Sequence, residues 1–268
     1  MQTGSTSDPE PAPLPCTYEE LAEMIDHSLL HPALTDADVE AGCRLALRYG
    51  VAAVCVRPCD VRRAAELLRG TPVRVAAVVG FPHGSSLTEV KHLETVLACR
   101  DGAQEIDMVL NIGKARSGDW EYVRRDIAAV CEAAHAHGAR VKVILEMALL
   151  DAGGAGRDGP ALKRKLCELA EAAGADWIKT STGFAFLPQP DGTYRPGGAT
   201  DEDLKLMRET CSARVQIKAA GGVRTLDRLL RVRELGASRC GATATAQILD
   251  EYCRRAGRAH PLASPPTA

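Results

Sequence analysis

The chain has 268 residues, a mass of 28.5 kDa and a formal net charge of −2 at neutral pH. This length allows one large α/β domain or two small ones, and it provides enough core to need no disulfide or metal crosslink. The slightly negative charge argues against a nucleic-acid-binding protein that works through bulk positive charge. With 46% hydrophobic and 25% charged residues, the composition is that of a globular protein and excludes disorder over the whole chain.

The two ends of the chain differ in composition from the middle. Residues 1–16 and 256–268 are rich in proline, serine and threonine and show neither helical nor strand periodicity. Such segments bury too little apolar surface to fold, so we expect two flexible tails. A single domain is then predicted over residues 17–255.

Several features of the sequence bear on its location. The N-terminal residues have no basic start and no apolar h-region, so no secretory signal is predicted. The sequence also lacks a run of about 18 apolar residues, so we expect no membrane partner. The ten cysteines lie mostly inside apolar segments, without the paired spacing of a zinc site. We therefore expect a cytoplasmic protein with reduced thiols.

Eight short apolar runs follow one another along the predicted domain. They cover residues 24–30, 51–56, 73–81, 105–111, 140–147, 177–181, 215–219 and 238–242. Continuous apolar runs of this length are typical of parallel strands that are buried on both faces. The sequence therefore predicts a parallel sheet.

The segments between these runs carry the start and stop signals of helices. At three predicted helix starts an acidic residue follows a Ser or Thr by three positions, as in a capping box: Thr17 with Glu20, Thr35 with the shorter Asp38, and Ser86 with Glu89. Glycines end four helical patterns just before the next strand, at positions 50, 138, 174 and 236. Eight strands that alternate with helices predict the α/β class and a (β/α)8 TIM barrel. A doubly wound open sheet is the alternative, although it usually has a Gly-rich fingerprint after the first strand, and none is found here.

Three of the eight lysines lie inside consecutive strand runs, namely Lys142, Lys179 and Lys218. A lone strand lysine is usually a buried ion pair or reaches the rim of the barrel. Three on adjacent barrel strands converge on one site, where like charges lower one another's pKa and leave one amine neutral and nucleophilic. Such an amine suits Schiff-base chemistry with a carbonyl substrate, and Asp107 in the fourth run is a candidate to move protons.

Small residues and hydroxyls follow the last three runs. Residues 180–183 read Thr-Ser-Thr-Gly, residues 221–224 read Gly-Gly-Val-Arg, and residues 241–243 read Gly-Ala-Thr. Loops of this kind after strands 7 and 8 of a barrel form the usual phosphate site, because their backbone N–H groups can approach an anion. The pattern favours a small phosphorylated substrate. Arg224 is either a further phosphate ligand or a surface residue at a helix start.

At these residues the sequence resembles the deoxyribose-phosphate aldolase family, class I aldolases of the (β/α)8 type. The resemblance covers about residues 17–250 and is most specific in Lys-Thr-Ser-Thr-Gly at 179–183 and Lys-Ala-Ala-Gly-Gly-Val-Arg-Thr at 218–225. Further matching segments are 25–30, 54–56, 79–84, 88–91, 105–113 and 197–200. The implied reaction is the reversible cleavage of 2-deoxy-D-ribose 5-phosphate into D-glyceraldehyde 3-phosphate and acetaldehyde.

The resemblance also implies a role for individual residues. Lys179 matches the Schiff-base lysine, Lys218 the lysine that lowers its pKa and takes part in proton transfer, and Asp107 the proton donor and acceptor. The implied phosphate contacts are Gly183, Gly221, Gly222, Val223, Arg224, Gly241 and Thr243. The implied pocket residues are Asp26, Ser28 and Cys55, and we expect Lys142 beside them. We expect small phosphosugar and aldehyde substrates and a homodimer, and we expect neither a metal nor another cofactor.

The sequence departs from the family pattern at several places. Ser28 stands where a threonine is usual, and Phe184 follows Gly183 where some members have a lysine that can hold phosphate. The C-terminal end has no tyrosine of the kind that assists proton transfer in some members, and residues 185–196 look like an insertion near the phosphate site. A related lyase or transaldolase with another donor, and a sugar-phosphate-binding barrel without catalysis, are the alternative functions.

Overall fold

A closed barrel of parallel strands forms the centre of the computed structural model, which describes residues 14–259. The barrel strands are β1 (Ile25–Leu29), β2 (Ala53–Val56), β3 (Arg74–Val79), β4 (Glu105–Val109), β5 (Arg140–Ile144), β6 (Trp177–Lys179), β9 (Gln216–Ala220) and β10 (Arg239–Ala242). A separate antiparallel hairpin consists of β7 (Phe186–Pro188) and β8 (Tyr194–Pro196). The barrel strands pair in chain order and β10 closes on β1, so the predicted TIM barrel is confirmed and the open sheet is wrong.

Helices surround the barrel and connect its strands. They are α1 (Tyr18–Ala22), α2 (Asp36–Tyr49), α3 (Val61–Leu67), α4 (Thr88–Arg100), α5 (Ile112–Ser117), α6 (Trp120–Ala136), α7 (Gly159–Ala172), α8 (Asp201–Thr210), α9 (Leu226–Glu234) and α10 (Thr245–Arg255). Short 3-10 turns cover Pro58–Asp60 and Met147–Leu150. Within residues 14–259, no helix combines the length and the apolar character needed to span a membrane.

Successive residues of each barrel strand face opposite sides, and both sides are buried. Outward side chains such as Val54, Val75 and Ile106 belong to the large core between barrel and helices. Inside the barrel, Cys55 and Val78 belong to a small separate apolar cluster on β2 and β3. The remaining interior is filled by charged side chains of β1, β4, β5, β6, β9 and β10. This double burial explains why the strands appear in the sequence as continuous apolar runs interrupted by single charges.

The helix starts confirm two of the three predicted capping boxes. The Thr17 and Thr35 side chains accept from the N–H groups of Glu20 and Asp38, whose carboxylates accept from the cap backbone in return. The Ser86 prediction is wrong, since α4 begins one residue later with Leu87 as N-cap and has no side-chain cap bond. The chain there is extended at Leu87, with φ −60° and ψ 149°, so the helix starts beyond the reach of the serine.

Both predicted tails are partly packed where the structure describes them. Leu14 and Cys16 pack against the core, and the Tyr252 hydroxyl donates to the Cys16 carbonyl at 2.8 Å. On the C-terminal side, the Arg258 guanidinium pairs with Glu19 at 2.7 Å and stacks on Tyr18. Residues 1–13 and 260–268, on which the rest of the tail prediction falls, lie outside the described residues.

The two threonine- and serine-based helix starts offer a matched test of stability. Replacing Thr35 by alanine is expected to lower the free energy of unfolding by about 1 kcal/mol, because the N–H of Asp38 loses its acceptor. Ser86→Ala should change it by less than about 0.5 kcal/mol, since Ser86 does not cap α4. Urea denaturation of both variants measures the difference, and equal effects would contradict the assignment of the α4 start.

Candidate active site

The Asp107 carboxylate lies at the centre of the barrel and binds three lysine amines. Its Oδ1 accepts from Lys142 Nζ at 2.9 Å. Its Oδ2 accepts from Lys179 Nζ at 2.8 Å and from Lys218 Nζ at 2.7 Å. All four side chains are buried, and Lys179 is the most accessible of them with 3% exposed. The three strand lysines thus converge on one site inside the barrel, as predicted, and the structure shows that they share one carboxylate there.

Two more carboxylates and an arginine complete this cluster. The Asp26 carboxylate accepts from Lys218 Nζ at 2.5 Å and lies 3.4 Å from Lys142 Nζ. Glu105 accepts from Lys142 Nζ at 2.5 Å. The guanidinium of Arg239 joins the two acids, pairing with Asp26 through one nitrogen and with Glu105 at 2.6 Å through another. The buried members of the cluster are therefore four cationic and three anionic side chains, and the partly exposed Arg140 and Arg74 approach Glu105 from outside at 3.5 and 3.9 Å.

Strand register explains why these residues meet. Asp107 pairs in register with Lys142 of β5, and Lys179 of β6 pairs with Lys218 of β9, so each pair lies on neighbouring strands at one level of the barrel. The paired residues point to the same side of the sheet, which here is the barrel interior. Asp107 lies in the middle of β4 rather than at its end, and this depth lets one carboxylate reach amines from three strands.

Mutual pairing keeps most of the cluster ionised. Burial by itself disfavours the charged forms, but the surrounding lysines hold the pKa of the Asp107 and Asp26 carboxyls well below the usual range. Burial also opposes charge on Lys142 and Lys218, yet Asp107 and Asp26 outweigh it and raise the pKa of both amines. The predicted lowering of pKa within the lysine cluster therefore fails for Lys142 and Lys218, because carboxylates lie between the amines.

Lys179 is the member of the cluster that reaches an open cavity. The cavity has a volume of about 560 Å³ and lies at the carboxyl ends of the barrel strands. Its walls include Ser28 and all seven predicted phosphate contacts: Gly183, Gly221, Gly222, Val223, Arg224, Gly241 and Thr243. Asp26, Cys55, Asp107, Lys142 and Lys218 are not among its lining residues and lie buried among the cluster beneath it. The structure thus separates a charged floor from an accessible mouth.

The far wall of the cavity is suited to an anion. Gly221 and Gly222 both have left-handed backbone, with φ 83° and 84°, and a Cβ on Gly221 would lie 2.7 Å from the Gly198 backbone. This close approach requires glycine, and the absence of side chains at both positions leaves the backbone N–H groups open to an anion. Thr243 lies immediately before the N-terminus of α10, which also favours negative charge. Arg224 is exposed and makes no hydrogen bond or ion pair with any residue of the described chain.

The predicted insertion at residues 185–196 shapes the mouth of the cavity. Its β7–β8 hairpin places Phe186 on the cavity wall, with 59% of that side chain exposed. Phe184 also lines the cavity and packs edge-to-face on Phe81, with ring centroids 5.3 Å apart. The departure from lysine at position 184 therefore gives an apolar wall next to the anion-binding loops.

The predicted pocket residue Cys55 lies within the charged cluster, whereas His135 of α6 lies outside the barrel. Cys55 is buried with its Sγ 3.9 Å from Asp107 Oδ2, and burial raises the pKa of its thiol to about 11, so it is a neutral wall of the cluster. His135 pairs with Asp176 at 2.9 Å on the outside of the barrel.

Sequence reasoning missed Glu105 and Arg239 as site residues. Each is a charged residue inside an apolar strand run, which is the same signal that identified the three lysines. Thr182 was predicted only as part of the loop 180–183, and Phe186 was missed as a cavity residue because its position depends on how the segment after β6 turns.

The closed barrel and its lysine–aspartate cluster beneath a glycine-lined cavity define a barrel enzyme of the aldolase class. The family model for DeoC/LacD family aldolases matches residues 21–246. The deoxyribose-phosphate aldolase of Rhodopirellula baltica is 45% identical over 240 residues, which cover 90% of this chain and 92% of that protein. The enzyme of the same name from Clostridium perfringens is 45% identical over 232 residues, covering 87% and 95%.

A solved structure agrees with the sequence relatives. The tetrameric deoxyribose phosphate aldolase from Aeropyrum pernix has a TM-score of 0.76 and 28% identity, with 88% of this chain and 92% of that chain covered. The chain belongs to the DeoC/LacD family of aldolases.

Removing single lysines should reveal the balance of charges in the cluster. Lys142→Ala leaves Asp107 Oδ1 and Glu105 Oε2 without their amine partner, so we expect a loss of about 3–5 kcal/mol in the free energy of unfolding. Lys179→Ala also removes a lysine side chain, but it leaves Asp107 with two amine partners. It should therefore lower the free energy of unfolding by less than about 2 kcal/mol. Urea denaturation measures both, and a Lys179→Ala variant as unstable as Lys142→Ala would contradict this description.

Proposed function

We propose that the chain reversibly cleaves 2-deoxy-D-ribose 5-phosphate into D-glyceraldehyde 3-phosphate and acetaldehyde, through a Schiff base on Lys179. One observation carries the proposal: Lys179 lines a cavity that is also bordered by glycine-rich loops, and its amine lies 2.8 Å from the buried Asp107 carboxylate. The names of the relatives from Rhodopirellula baltica and Clostridium perfringens support this choice of substrate.

The charges of the cluster support Lys179 as the nucleophile. With every group ionised, four cations face three carboxylates, and one excess positive charge is buried. Lys142 pairs with Asp26, Glu105 and Asp107, whereas Lys179 pairs within the described chain with Asp107 alone. Loss of a proton from Lys179 makes the cluster neutral and breaks the fewest ion pairs, and it exposes the lone pair that attack on a carbonyl requires.

The cleavage then uses the imine as an electron sink. Lys179 Nζ adds to the C1 aldehyde of the open-chain sugar, and loss of water from the carbinolamine gives an iminium ion. The C3 hydroxyl loses its proton, the C2–C3 bond breaks, and its electron pair forms an enamine while D-glyceraldehyde 3-phosphate leaves. Protonation of the enamine at C2 and hydrolysis release acetaldehyde. We assign Asp107 and Lys218 to the proton transfers, since both lie within one hydrogen bond of the reacting nitrogen or of each other.

The anion-binding wall supplies the orientation of the substrate. We infer that the phosphate binds to the N–H groups of Gly183, Gly221 and Gly222 and near the α10 N-terminus. The exposed Arg224 adds a mobile positive charge at the mouth. Binding energy from the phosphate end thereby places C1 next to Lys179, which turns binding into alignment. Asp26, Ser28, Cys55 and Lys142 complete the wall and the floor, and none of these steps uses a cofactor.

We also propose a cytoplasmic homodimer. All ten cysteines are free thiols, which suits a reducing compartment. One face of α4 exposes Leu87, Val90, Leu93 and Leu97, each at least half accessible, and an apolar stripe of this kind favours a protein interface.

Reductive trapping tests the nucleophile. Borohydride added with acetaldehyde should reduce the imine and leave a stable ethyl group on Lys179, located by peptide mass mapping. The Lys179→Ala variant should incorporate none. Labelling of Lys142 or Lys218 in the wild type, or an active enzyme that is never trapped, would overturn the assignment. Dihydroxyacetone in place of acetaldehyde as donor tests the transaldolase alternative.

Steady-state kinetics test the proposed phosphate contacts. Arg224→Ala should raise KM for 2-deoxyribose 5-phosphate about tenfold, because one charge-assisted hydrogen bond is lost. The same variant should leave turnover of unphosphorylated 2-deoxyribose unchanged. An equal loss on both substrates would place Arg224 outside the phosphate site.

A further inference from the structure

Glu146, which follows β5, is held in an unusual backbone conformation. Its φ of 52° and ψ of 56° are left-handed, a region that costs about 1–3 kcal/mol for a residue with a side chain. The backbone on either side is fixed to the segment that carries the proposed nucleophile. Leu145 N–H donates to the Lys179 carbonyl at 3.0 Å, and Met147 N–H donates to the Thr180 carbonyl at 2.9 Å. The strain is therefore maintained by bonds to β6.

One oxygen of the Glu146 carboxyl fixes the turn that follows Thr180. Its Oε2 accepts from the Thr182 N–H at 3.1 Å and from the Thr182 hydroxyl at 2.5 Å. The same hydroxyl accepts from the Phe184 N–H at 3.0 Å. The carboxyl and Thr182 thus determine the course of residues 182–184, with Gly183 between the two bonded positions.

The other oxygen, Oε1, is buried and has no hydrogen-bond partner within residues 14–259. Glu146 is 1% exposed and lines a second cavity of about 240 Å³, whose other walls include His83, Thr182 and Phe184. An unpaired buried carboxyl oxygen is costly, and burial accordingly raises the pKa of Glu146. The two bonds from Thr182 to Oε2 are therefore the hydrogen bonds that offset the burial of this carboxyl.

The turn held by Glu146 is the partition between the two cavities. Thr182 and Phe184 line both of them, and Gly183 lines the larger one. Gly183 has a left-handed φ of 81°, so the direction of its N–H depends on the residues on either side being fixed.

We propose that Glu146 is a positioning residue for the phosphate end of the substrate: its carboxyl holds Thr182 so that the Gly183 N–H and the Phe184 ring stand at the cavity wall. The proposal rests on the phosphate site described under the proposed function. Glu146 touches no reacting atom, so its loss should impair phosphate recognition and leave imine formation on Lys179 intact.

Kinetics with two substrates test this role. Glu146→Ala should raise KM for 2-deoxyribose 5-phosphate about tenfold, while kcat/KM for unphosphorylated 2-deoxyribose changes less than about threefold. Glu146→Gln should restore KM to within about threefold of wild type, because its amide oxygen can accept both Thr182 bonds. Thr182→Val removes the hydroxyl and should raise KM for 2-deoxyribose 5-phosphate by less than Glu146→Ala does. The double variant that carries both substitutions should have a KM close to that of Glu146→Ala.

Glu94→Ala is the matched control. The Glu94 carboxylate also holds a loop, accepting from the Gly80 N–H at 2.7 Å, but Gly80 does not line the larger cavity. This variant should leave KM unchanged. Equal losses on both substrates in Glu146→Ala, an unchanged KM, or a Gln variant as impaired as the Ala variant would each overturn the proposal. Should Glu146→Ala not fold, the Gln and Thr182→Val variants decide by the same comparison. Borohydride trapping with acetaldehyde reports separately on the proposed function, since it requires no phosphate.

Discussion

The ion pairing of the buried Asp107 carboxylate with three lysine amines is the interaction on which the rest of this structure depends. Removing an ion from water costs several kcal/mol, and a group of seven is tolerated only when each charge has well-placed partners. Three lysine amines lie within 2.9 Å of Asp107, and Asp26, Glu105 and Arg239 pair with the outer members. Six strands contribute to this arrangement, so it exists only while the barrel is closed.

The cluster and the cavity wall divide the work of the site. The cluster is buried and consists of charged side chains, and it keeps Lys142 and Lys218 charged around the amine of Lys179, which reaches the cavity. The opposite wall consists of loops with small residues, such as Gly221 and Gly222, and it is the wall that we propose binds the phosphate. Glu146 lies between the two parts. Its carboxyl binds Thr182, and its neighbours Leu145 and Met147 bind the Lys179 and Thr180 carbonyls through their N–H groups.

Much of this could be predicted from the sequence, for reasons that are local. Each of the eight apolar runs overlaps one barrel strand. Seven strands are shorter than their runs, since runs such as 73–81 continue into the following loop, and β9 (Gln216–Ala220) is shifted by one residue from the run 215–219. The strand lysines were informative because an ammonium in an apolar run needs a partner. The same argument applied to Arg239 and Glu105 would have completed the cluster. The prediction of a capping box at Ser86 was wrong because it used only the spacing between Ser86 and Glu89. The actual start of α4 depends on the extended backbone at Leu87.

The sequence by itself determined the strand and helix periods, the eightfold repetition and the residue types available for chemistry, because these follow from local hydrophobic patterning. Only the tertiary structure decided which charges pair. Lys218 and Asp26 are separated by 192 positions, and they meet because β10 closes the barrel against β1. Closure also decided that carboxylates stand between the lysines, which reverses the pKa shift that clustering alone predicts for Lys142 and Lys218. Electrostatic energy depends on distance and burial, and no one-dimensional pattern contains either.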